Sequence, residues 1–366
     1  CNVTHVEVHE TDYAGSTPPA IRKVLRHFSV ADTIRFFAAA GVALKQEETG
    51  KLFPVTDSAR TVLEALVGEV RASGVELLHP ARVMAVGRDD SGFVAETDQG
   101  RIAARRMILC TGGRSLPKSG SDGGGYALAA GLGHSLTAPI VPALVPLVLA
   151  DGHWIRDLPG LTLPTELVLS TADGRRLCRT TGSTLCTHVG LSGPAVLDIS
   201  RHWLIARHRD PDVTLSLNWL PGATPEEVER RLVAAQARGP LAALRDRLPE
   251  RLIRSLCTAA QAAPAGDLPR ETRRRLVAAV TATPLPVTGD RGFTVAEATA
   301  GGVPLSEVRL ETMESRLCPG LYLAGELLDV DGRIGGFNFQ WAWASGFIAG
   351  SAAVRASTDA RPPTAP

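Results

Sequence analysis

The residues best suited to chemistry lie close together near the C-terminus of the chain. An apolar strand over residues 321–324 is predicted to end at Gly325-Glu326. The pair Gly335-Gly336 then precedes an apolar helical pattern over residues 337–353. A carboxylate at the end of a strand accepts hydrogen bonds from sugar hydroxyls, and the start of a helix attracts negative charge. The pattern predicts a ligand site, although a tight turn before a core helix also fits it.

Strands and helices must hold these residues in place, and their pattern is typical of an α/β protein. Short strands are predicted over residues 75–78, 83–86 and 106–110. The last of them is apolar, ends at Cys110 and leads into Thr111-Gly112-Gly113. Cys110 is expected to be a small buried hydrophobic residue, since free cysteine is often buried.

The middle of the chain has a different pattern, which indicates an insert. Apolar and polar residues alternate beyond the prolines of residues 139–146, which favours β-strands. Thr224-Pro225 then marks a helix start, followed by an arginine-rich helical stretch that continues to about Ala282. We predict the first part of the core domain over residues 1–144, an insert over 145–283, the second part of the core domain over 284–353 and a disordered tail over 354–366.

The composition disfavours two classes of partner. The 366 residues have a formal net charge of +1, so the chain has no field that would concentrate nucleic acid. Arginines over residues 224–282 alternate with acidic residues and no aromatic residue lies among them, which is typical of a solvated helix face. The longest apolar run, residues 136–150, is shorter than the ~20 residues of a membrane helix and contains proline. We expect neither nucleic acid nor a membrane span.

Cysteine and histidine residues give little sign of a metal centre or a nucleophile. The six cysteines form no C-x-x-C pair, which favours a reducing cytoplasm and no metal site. The chain also lacks a G-x-S-x-G nucleophile motif. His188, beside a glycine-rich turn, is a candidate for proton transfer, and a structural hydrogen-bonding role is the alternative.

Several segments, taken together, resemble one protein family. They are Cys1-Asn2-Val3-Thr4 and residues 117–126, 142–146, 187–194, 299–303 and 325–346. In this order, over nearly the whole chain, they are similar to the FAD-binding BaiN-type flavoproteins, also described as aminoacetone-oxidase-like or NAD(P)/FAD-dependent oxidoreductases. The resemblance implies a split Rossmann-like FAD-binding domain of the two-dinucleotide-binding type, with an inserted domain that has β-barrel-like and helical parts.

The resemblance also implies which residues contact FAD. Glu326 matches the loop that holds the ribityl chain, and the run from Gly335 to Asn338 matches the helix start under the flavin ring. Helix amides there would stabilise the negative charge of reduced flavin. The implied contacts are Asn2, Thr4, Thr111, Gly112, Gly113, Gly302, Gly325, Glu326, Gly335, Gly336, Phe337 and Asn338.

The resemblance implies a flavin-dependent oxidoreductase that passes hydride from NAD(P)H or an organic substrate, through flavin N5, to an unidentified small-molecule acceptor. Because no second glycine fingerprint is present, the nicotinamide is expected to dock only transiently. Neither the substrate nor the oligomeric state is indicated by the residues.

One departure from the family pattern motivates a rival hypothesis. In the family, a glycine-rich fingerprint precedes the segment that here begins at Cys1. We expect that the sequence is a fragment of a longer flavoprotein, with a strand and G-x-G-x-x-G encoded upstream. The rival is a non-enzymatic remnant or binding module that is unable to retain FAD.

Overall fold

The computed structural model describes residues 2–358. Its strands, in chain order, are β1 (Thr4–His5), β2 (Tyr13–Gly15), β3 (Leu44–Gln46), β4 (Lys51–Pro54), β5 (Val83–Asp89), β6 (Gly92–Thr97), β7 (Gly100–Ala104), β8 (Met107–Leu109), β9 (Val141–Ala143), β10 (Leu147–Leu149), β11 (Thr162–Ser170), β12 (Arg176–Cys186), β13 (Gly190–Ser192), β14 (Thr214–Asn218), β15 (Thr283–Leu285), β16 (Val287–Asp290), β17 (Ala298–Ala300), β18 (Val308–Arg309), β19 (Glu314–Ser315), β20 (Leu321–Leu323) and β21 (Val330–Gly332).

The helices complete a mixed α/β architecture. They are α1 (Pro18–Leu25), α2 (Val30–Ala39), α3 (Ala59–Ala72), α4 (Gly124–Gly131), α5 (Pro194–Arg209), α6 (Pro225–Ala235), α7 (Gly239–Leu244), α8 (Glu250–Ala259), α9 (Arg270–Thr281) and α10 (Phe337–Thr358). Within the described residues, no helix has both the length and the apolar character needed to cross a membrane.

The chain divides into two compact units. Of the described residues, the first unit contains 2–142 and 298–358, and the second contains 143–297. The domain boundaries predicted from the sequence are at 144/145 and 283/284. Residues 359–366 of the predicted tail lie outside the described residues, whereas residues 354–358 form the last turn of α10.

The first unit contains a four-stranded sheet in the order β18-β19-β20-β8. Strands β20 and β8 run parallel, with Leu321 opposite Met107 and Leu323 opposite Leu109. Both strands therefore direct their carboxyl ends, and the loops after them, to the same edge of the sheet. This parallel pair brings the loop after β8, which contains Gly113, towards Glu326.

Two predictions beside this sheet were wrong. Residues 75–78 form no strand, and Val75 is 57% exposed, because among residues 2–358 this segment pairs with no other strand. Cys110 is exposed rather than buried, since it follows β8 at the edge of the sheet. The predicted strand near residue 83 is confirmed as β5.

Helix α10 is the largest element of the first unit, and its predicted start is confirmed. Trp341, Ala344 and Ile348 are buried along it at helical spacing, so one face of α10 packs into the core. Trp343 Nε1 donates a hydrogen bond to Val3 O at 2.9 Å, which attaches the segment before β1 to the helix.

The second unit consists of an antiparallel sheet followed by helices. Its seven strands are ordered β15-β14-β11-β12-β13-β10-β16. The predicted start of α6 is confirmed, because Thr224 Oγ1 accepts a hydrogen bond from Glu227 N and Thr224 N donates one to Glu227 Oε2. Buried Leu167 and Leu217 on paired strands and Ile199 on α5 belong to its core.

Candidate functional site

Glu326 lies in the short 3-10 helix Gly325–Leu327, which follows β20 directly. A Cβ placed on Gly113 would lie 2.7 Å from Glu326 Oε1 and 2.5 Å from Thr299 Oγ1. Any side chain at residue 113 would therefore displace these two groups. Oxygen Oε1 of Glu326 is buried and has no hydrogen-bond partner within the described residues.

The surroundings of Glu326 disfavour its charged form. Burial raises the pKa of Glu326 above its ordinary value, and the neighbouring Thr299 opposes this shift to a smaller extent. The Thr299 hydroxyl oxygen accepts hydrogen bonds from Arg114 N at 2.8 Å and from Ser115 N at 3.1 Å. Burial, followed by the charge of Glu326, raises the pKa of Tyr126. A ligand that donates hydrogen bonds would stabilise the carboxylate.

Two hydroxyl groups beside Gly112 and Gly113 also lack partners. Thr111 Oγ1 and Ser121 Oγ are buried without a hydrogen bond within the described residues. A Cβ on Gly125 would lie 1.8 Å from Thr111 Oγ1, and one on Gly112 would lie 2.9 Å from Ser121 Oγ. We name as the carboxylate cluster the residues Thr111, Gly112, Gly113, Ser121, Gly125, Thr299 and Glu326.

A second group of predicted residues meets at the start of α10. Gly336 has φ +98°, and a Cβ there would lie 2.7 Å from both the carbonyl carbon and the carbonyl oxygen of Thr4. Thr4 Oγ1 donates a hydrogen bond to Gln340 Oε1 at 2.7 Å, one turn further along the helix. We name as the helix-start cluster the residues Thr4, His5, Lys51, Gly335, Gly336, Phe337, Asn338 and Gln340.

Two side chains of the helix-start cluster hold the loop rather than face a ligand. Asn338 Oδ1 accepts from Gly332 N at 2.8 Å, and its Nδ2 donates to Gly332 O at 3.1 Å. Phe337 is buried and stacks on His5 with ring centroids 4.9 Å apart. These residues therefore offer a ligand mainly their backbone amides, which belong to the first turn of a helix.

Helix α10 joins the two clusters. Gly325 N donates to Ser345 Oγ at 2.9 Å, and Trp341 Nε1 donates to Gly325 O at 3.1 Å. These contacts lie four to eight residues beyond Phe337, which is about 6–12 Å along the helix axis. The loop that carries Glu326 is thus attached to the same helix whose start forms the second cluster.

The remaining predicted residues lie in three places. Gly302 is near the carboxylate cluster, since a Cβ on it would lie 2.6 Å from Leu327 O. Asn2 is half-buried immediately before β1. His188 belongs to the second unit, where its side chain is exposed and its carbonyl accepts a hydrogen bond from Arg156 Nε at 2.9 Å.

Sequence reasoning missed several members of the clusters. Thr299 and Ser121 lie within segments that resemble the flavoprotein family, so a signal for both was present in the chain. Gln340 also lies within such a segment, residues 325–346. Lys51 had none, because its position depends on the pairing of β4 with β1.

Comparisons with known proteins identify the family. The model of the family described as "HI0933-like protein Rossmann domain" matches residues 1–352. The chain belongs to this family. HI0933-like proteins of this type are FAD-dependent oxidoreductases, and this chain is therefore an FAD-dependent oxidoreductase; the remnant hypothesis is not favoured.

Three relatives are similar over most of their length. A 3-dehydro-bile acid delta(4,6)-reductase of Clostridium scindens is 37% identical over 97% of this chain and 87% of its own length. A ribosomal RNA dihydrouridine synthase of Escherichia coli is 31% identical over 94% of this chain and 84% of its own length. The same enzyme of Haemophilus influenzae is 29% identical over 95% of this chain and 85% of its own length.

The carboxylate and helix-start clusters fit a flavin cofactor. The polyol chain of a flavin has hydroxyl groups that suit the unpartnered oxygens of Glu326, Thr111 and Ser121. Because Gly112 and Gly113 have no side chains, Ser121 and Glu326 can lie close against this loop. The first amides of α10 suit the electron-rich edge of the flavin ring.

Proposed function

We propose that the protein uses FAD to reduce a carbon–carbon double bond conjugated to a carbonyl in a small organic molecule, with NAD(P)H as the electron donor. The observation that supports this choice most strongly is a bond change shared by relatives with very different substrates. The name of the first relative describes reduction of double bonds in a 3-dehydro, that is 3-oxo, bile acid. Dihydrouridine is the product formed when the ring double bond of uridine, which is conjugated to a carbonyl, is reduced to a single bond.

The reaction needs one hydride and one proton. The nicotinamide loses hydride and becomes NAD(P)+, and the conjugated double bond gains that hydride at the carbon distant from the carbonyl. A proton adds at the carbon beside the carbonyl. When bound, FAD supplies the two-electron carrier between donor and acceptor.

Residues of the first unit have separate roles in this proposal. Glu326, Thr111 and Ser121 bind the polyol hydroxyls, and the absence of side chains at Gly112 and Gly113 lets Ser121 and Glu326 keep their positions. This assignment is supported by three buried oxygen atoms without partners, which are costly to maintain in the absence of a ligand.

The helix-start cluster has the task of orienting the flavin ring. Gly335 and Gly336 allow Thr4 and Lys51 to lie close to the start of α10, while the amides of Phe337 and Asn338 favour negative charge on the ring. Asn2 and Thr4 border this position, and the hydrogen bond from Thr4 to Gln340 holds β1 against α10. Gly325 and Gly302 shape the loop around Glu326.

His188, which lies in the second unit, is proposed as a candidate for proton transfer on the basis of its sequence context. Imidazole is the side chain most often used for proton transfer, and its exposure leaves the ring accessible. A His188→Gln variant should then slow product formation without changing FAD binding. Equal turnover in the variant and the wild type would remove His188 from the mechanism.

A second candidate substrate is a uridine in RNA. Similarity to two dihydrouridine synthases, at 31% and 29% identity, favours it. The formal net charge of +1 favours the small-molecule substrate instead, because RNA-binding proteins usually present a strongly basic surface.

The test uses the full-length gene product with FAD and NAD(P)H under anaerobic conditions. One reaction contains a panel of 3-oxo-4-ene steroids and simpler enones, and the other contains protein-free ribosomal RNA. Mass spectrometry measures a gain of two hydrogens in either substrate. A saturated enone supports the main proposal, dihydrouridine in the RNA supports the second candidate, and no reduction of either contradicts both.

A further inference from the structure

Lys51 lies at the edge of the helix-start cluster, and any role for it towards FAD rests on the proposed function. It begins β4 and is paired with His5 on β1. A Cβ placed on Gly335 would lie 3.6 Å from Lys51 Cε and 3.8 Å from His5 Cδ2. The end of the Lys51 side chain therefore approaches the glycine pair at the start of α10.

The charge of Lys51 is not compensated within the described residues. Its side chain is half-buried, and its ammonium makes no hydrogen bond or ion pair with any residue of 2–358. By contrast, Lys23 is ion-paired with Glu311, and Lys45 on the neighbouring strand is ion-paired with Asp57 at 2.6 Å. Partial burial of a cation without a partner is unfavourable, so a negatively charged group at this position would stabilise it.

Arg333, another cation near the start of α10, differs from Lys51 because it has interaction partners. The guanidinium of Arg333 lies 5.1 Å from the centre of the Phe337 ring and 3.5 Å from Asp12 Oδ1. Its position is fixed by the ring, and its charge is balanced by the carboxylate. Lys51 is thus the cation with an uncompensated charge beside Gly335.

We propose that Lys51 contacts the cofactor and stabilises the negative charge that the flavin ring gains on reduction. The ammonium and the first amides of α10 would both stabilise negative charge on a flavin ring held beside Gly335. A positive charge at this edge binds the reduced cofactor more tightly than the oxidised cofactor, and it thereby raises the midpoint potential of the bound flavin.

The test compares Lys51→Met with the wild type in the full-length protein loaded with FAD. The midpoint potential is measured by equilibrium with a reference dye, and the dissociation constant of oxidised FAD is measured by fluorescence. We expect the affinity of Lys51→Met for reduced FAD to fall about tenfold more than its affinity for oxidised FAD, which corresponds to a midpoint potential about 30 mV more negative.

Two matched variants control for charge and position. Lys51→Arg keeps the charge and should retain a potential near that of the wild type. Lys45→Met removes an equal charge from the same three-stranded sheet, at a side chain that is 41% exposed and paired with Asp57, and should leave the potential unchanged. Thermal unfolding of each variant shows whether the sheet is intact.

The outcomes separate this proposal from the proposed function. A wild-type protein that binds no FAD would contradict the proposed function. A wild-type protein that binds FAD, with a Lys51→Met variant of unchanged potential and unchanged unfolding temperature, would overturn the role of Lys51 alone. If Lys51→Met does not fold, Lys51→Gln replaces it as the neutral variant, and the same two results decide.

Discussion

Replacement of Glu326 by glutamine should weaken FAD binding and, at the same time, should not destabilise the protein without FAD. Glutamine has nearly the same size and keeps one oxygen acceptor, so the packing against Gly113 and Thr299 is preserved. The substitution removes the negative charge and replaces one acceptor oxygen by an NH2 donor. The substitution should thus lower the affinity for FAD without lowering the stability of the protein, a combination that few purely structural explanations would produce.

The expected loss of affinity follows from the difference between charged and neutral hydrogen bonds. A hydrogen bond to a charged group contributes about 1.5–3 kcal/mol and a neutral one about 0.5–1.5 kcal/mol. For one contact from Glu326 Oε1 to a polyol hydroxyl, the variant should lose about 1–1.5 kcal/mol, or about 5- to 13-fold in Kd.

The expected change in stability follows from the direction of the pKa shift. Burial raises the pKa of Glu326 above 4.5 in the folded protein. The wild-type residue therefore contributes stability that is present below pH 4.5 and is lost as the pH rises through the folded-state pKa. Glu326→Gln lacks this loss, so it should be the more stable protein at pH 7, and the difference should vanish as the pH falls towards 4.5.

Two measurements on the full-length protein test this account of Glu326. Kd for FAD is measured by titration at pH 7, and urea unfolding without FAD is measured between pH 4.5 and pH 8. Glu96→Gln is the control, because Glu96 is exposed and ion-paired with Arg101 in the same unit, and it should change neither quantity appreciably. Unchanged FAD affinity in Glu326→Gln, or lower stability at pH 7, would refute the reasoning.

Three further variants have different expected effects. Glu307→Gln should lower stability by about 1.5–3 kcal/mol at pH 7, because Glu307 accepts hydrogen bonds from Ser135 and His134. Burial raises the pKa of Glu307, but these hydrogen bonds together hold that pKa below its ordinary value. The stability difference between the variant and the wild type in urea unfolding should therefore shrink as the pH falls through the pKa of Glu307. A difference that is independent of pH would contradict this. Gly336→Ala should cost about 1–3 kcal/mol, measured by thermal unfolding, because φ is +98° and Thr4 leaves no space, and wild-type stability would exclude this geometry. Thr4→Val should cost about 1–3 kcal/mol in urea unfolding by removing a buried donor to Gln340, whereas an unchanged midpoint would show that this bond is unimportant.

Local features of the fold could be predicted from the sequence because they depend on neighbouring residues. The start of α6 follows from the capping pair Thr224 and Glu227, three residues apart. The start of α10 follows from a glycine pair before an apolar helical pattern. In both cases, the residues that define the start of the helix lie within a few positions of one another in the chain.

Features that depend on distant segments could not be predicted in the same way. The strand pattern of residues 75–78 is apolar, but a strand also needs a partner, and the pattern does not show whether one is present. Exposure of Cys110 follows from the position of β8 at the edge of a sheet. The spacing of apolar residues does not predict the order of strands within a sheet.

The candidate site falls between these cases. Glu326 and the pair Gly335-Gly336 were expected from the residue pattern, whereas the other predicted members of both clusters were expected from the family resemblance, because residues such as Gly113 and Glu326 are far apart in the sequence. Their contact depends on the parallel pairing of β8 with β20. Lys51 depends on the pairing of β1 with β4 and was not expected at all.

Spectroscopy of the purified full-length protein tests the central claim most directly. The visible absorbance measures bound flavin, and an anaerobic titration with NADH or NADPH, followed by an enone, measures electron transfer. We predict near-equimolar FAD, loss of its absorbance on addition of one of the nicotinamides and its return on addition of the enone. A protein that retains no flavin after reconstitution, or whose bound flavin responds to no nicotinamide, would contradict the account.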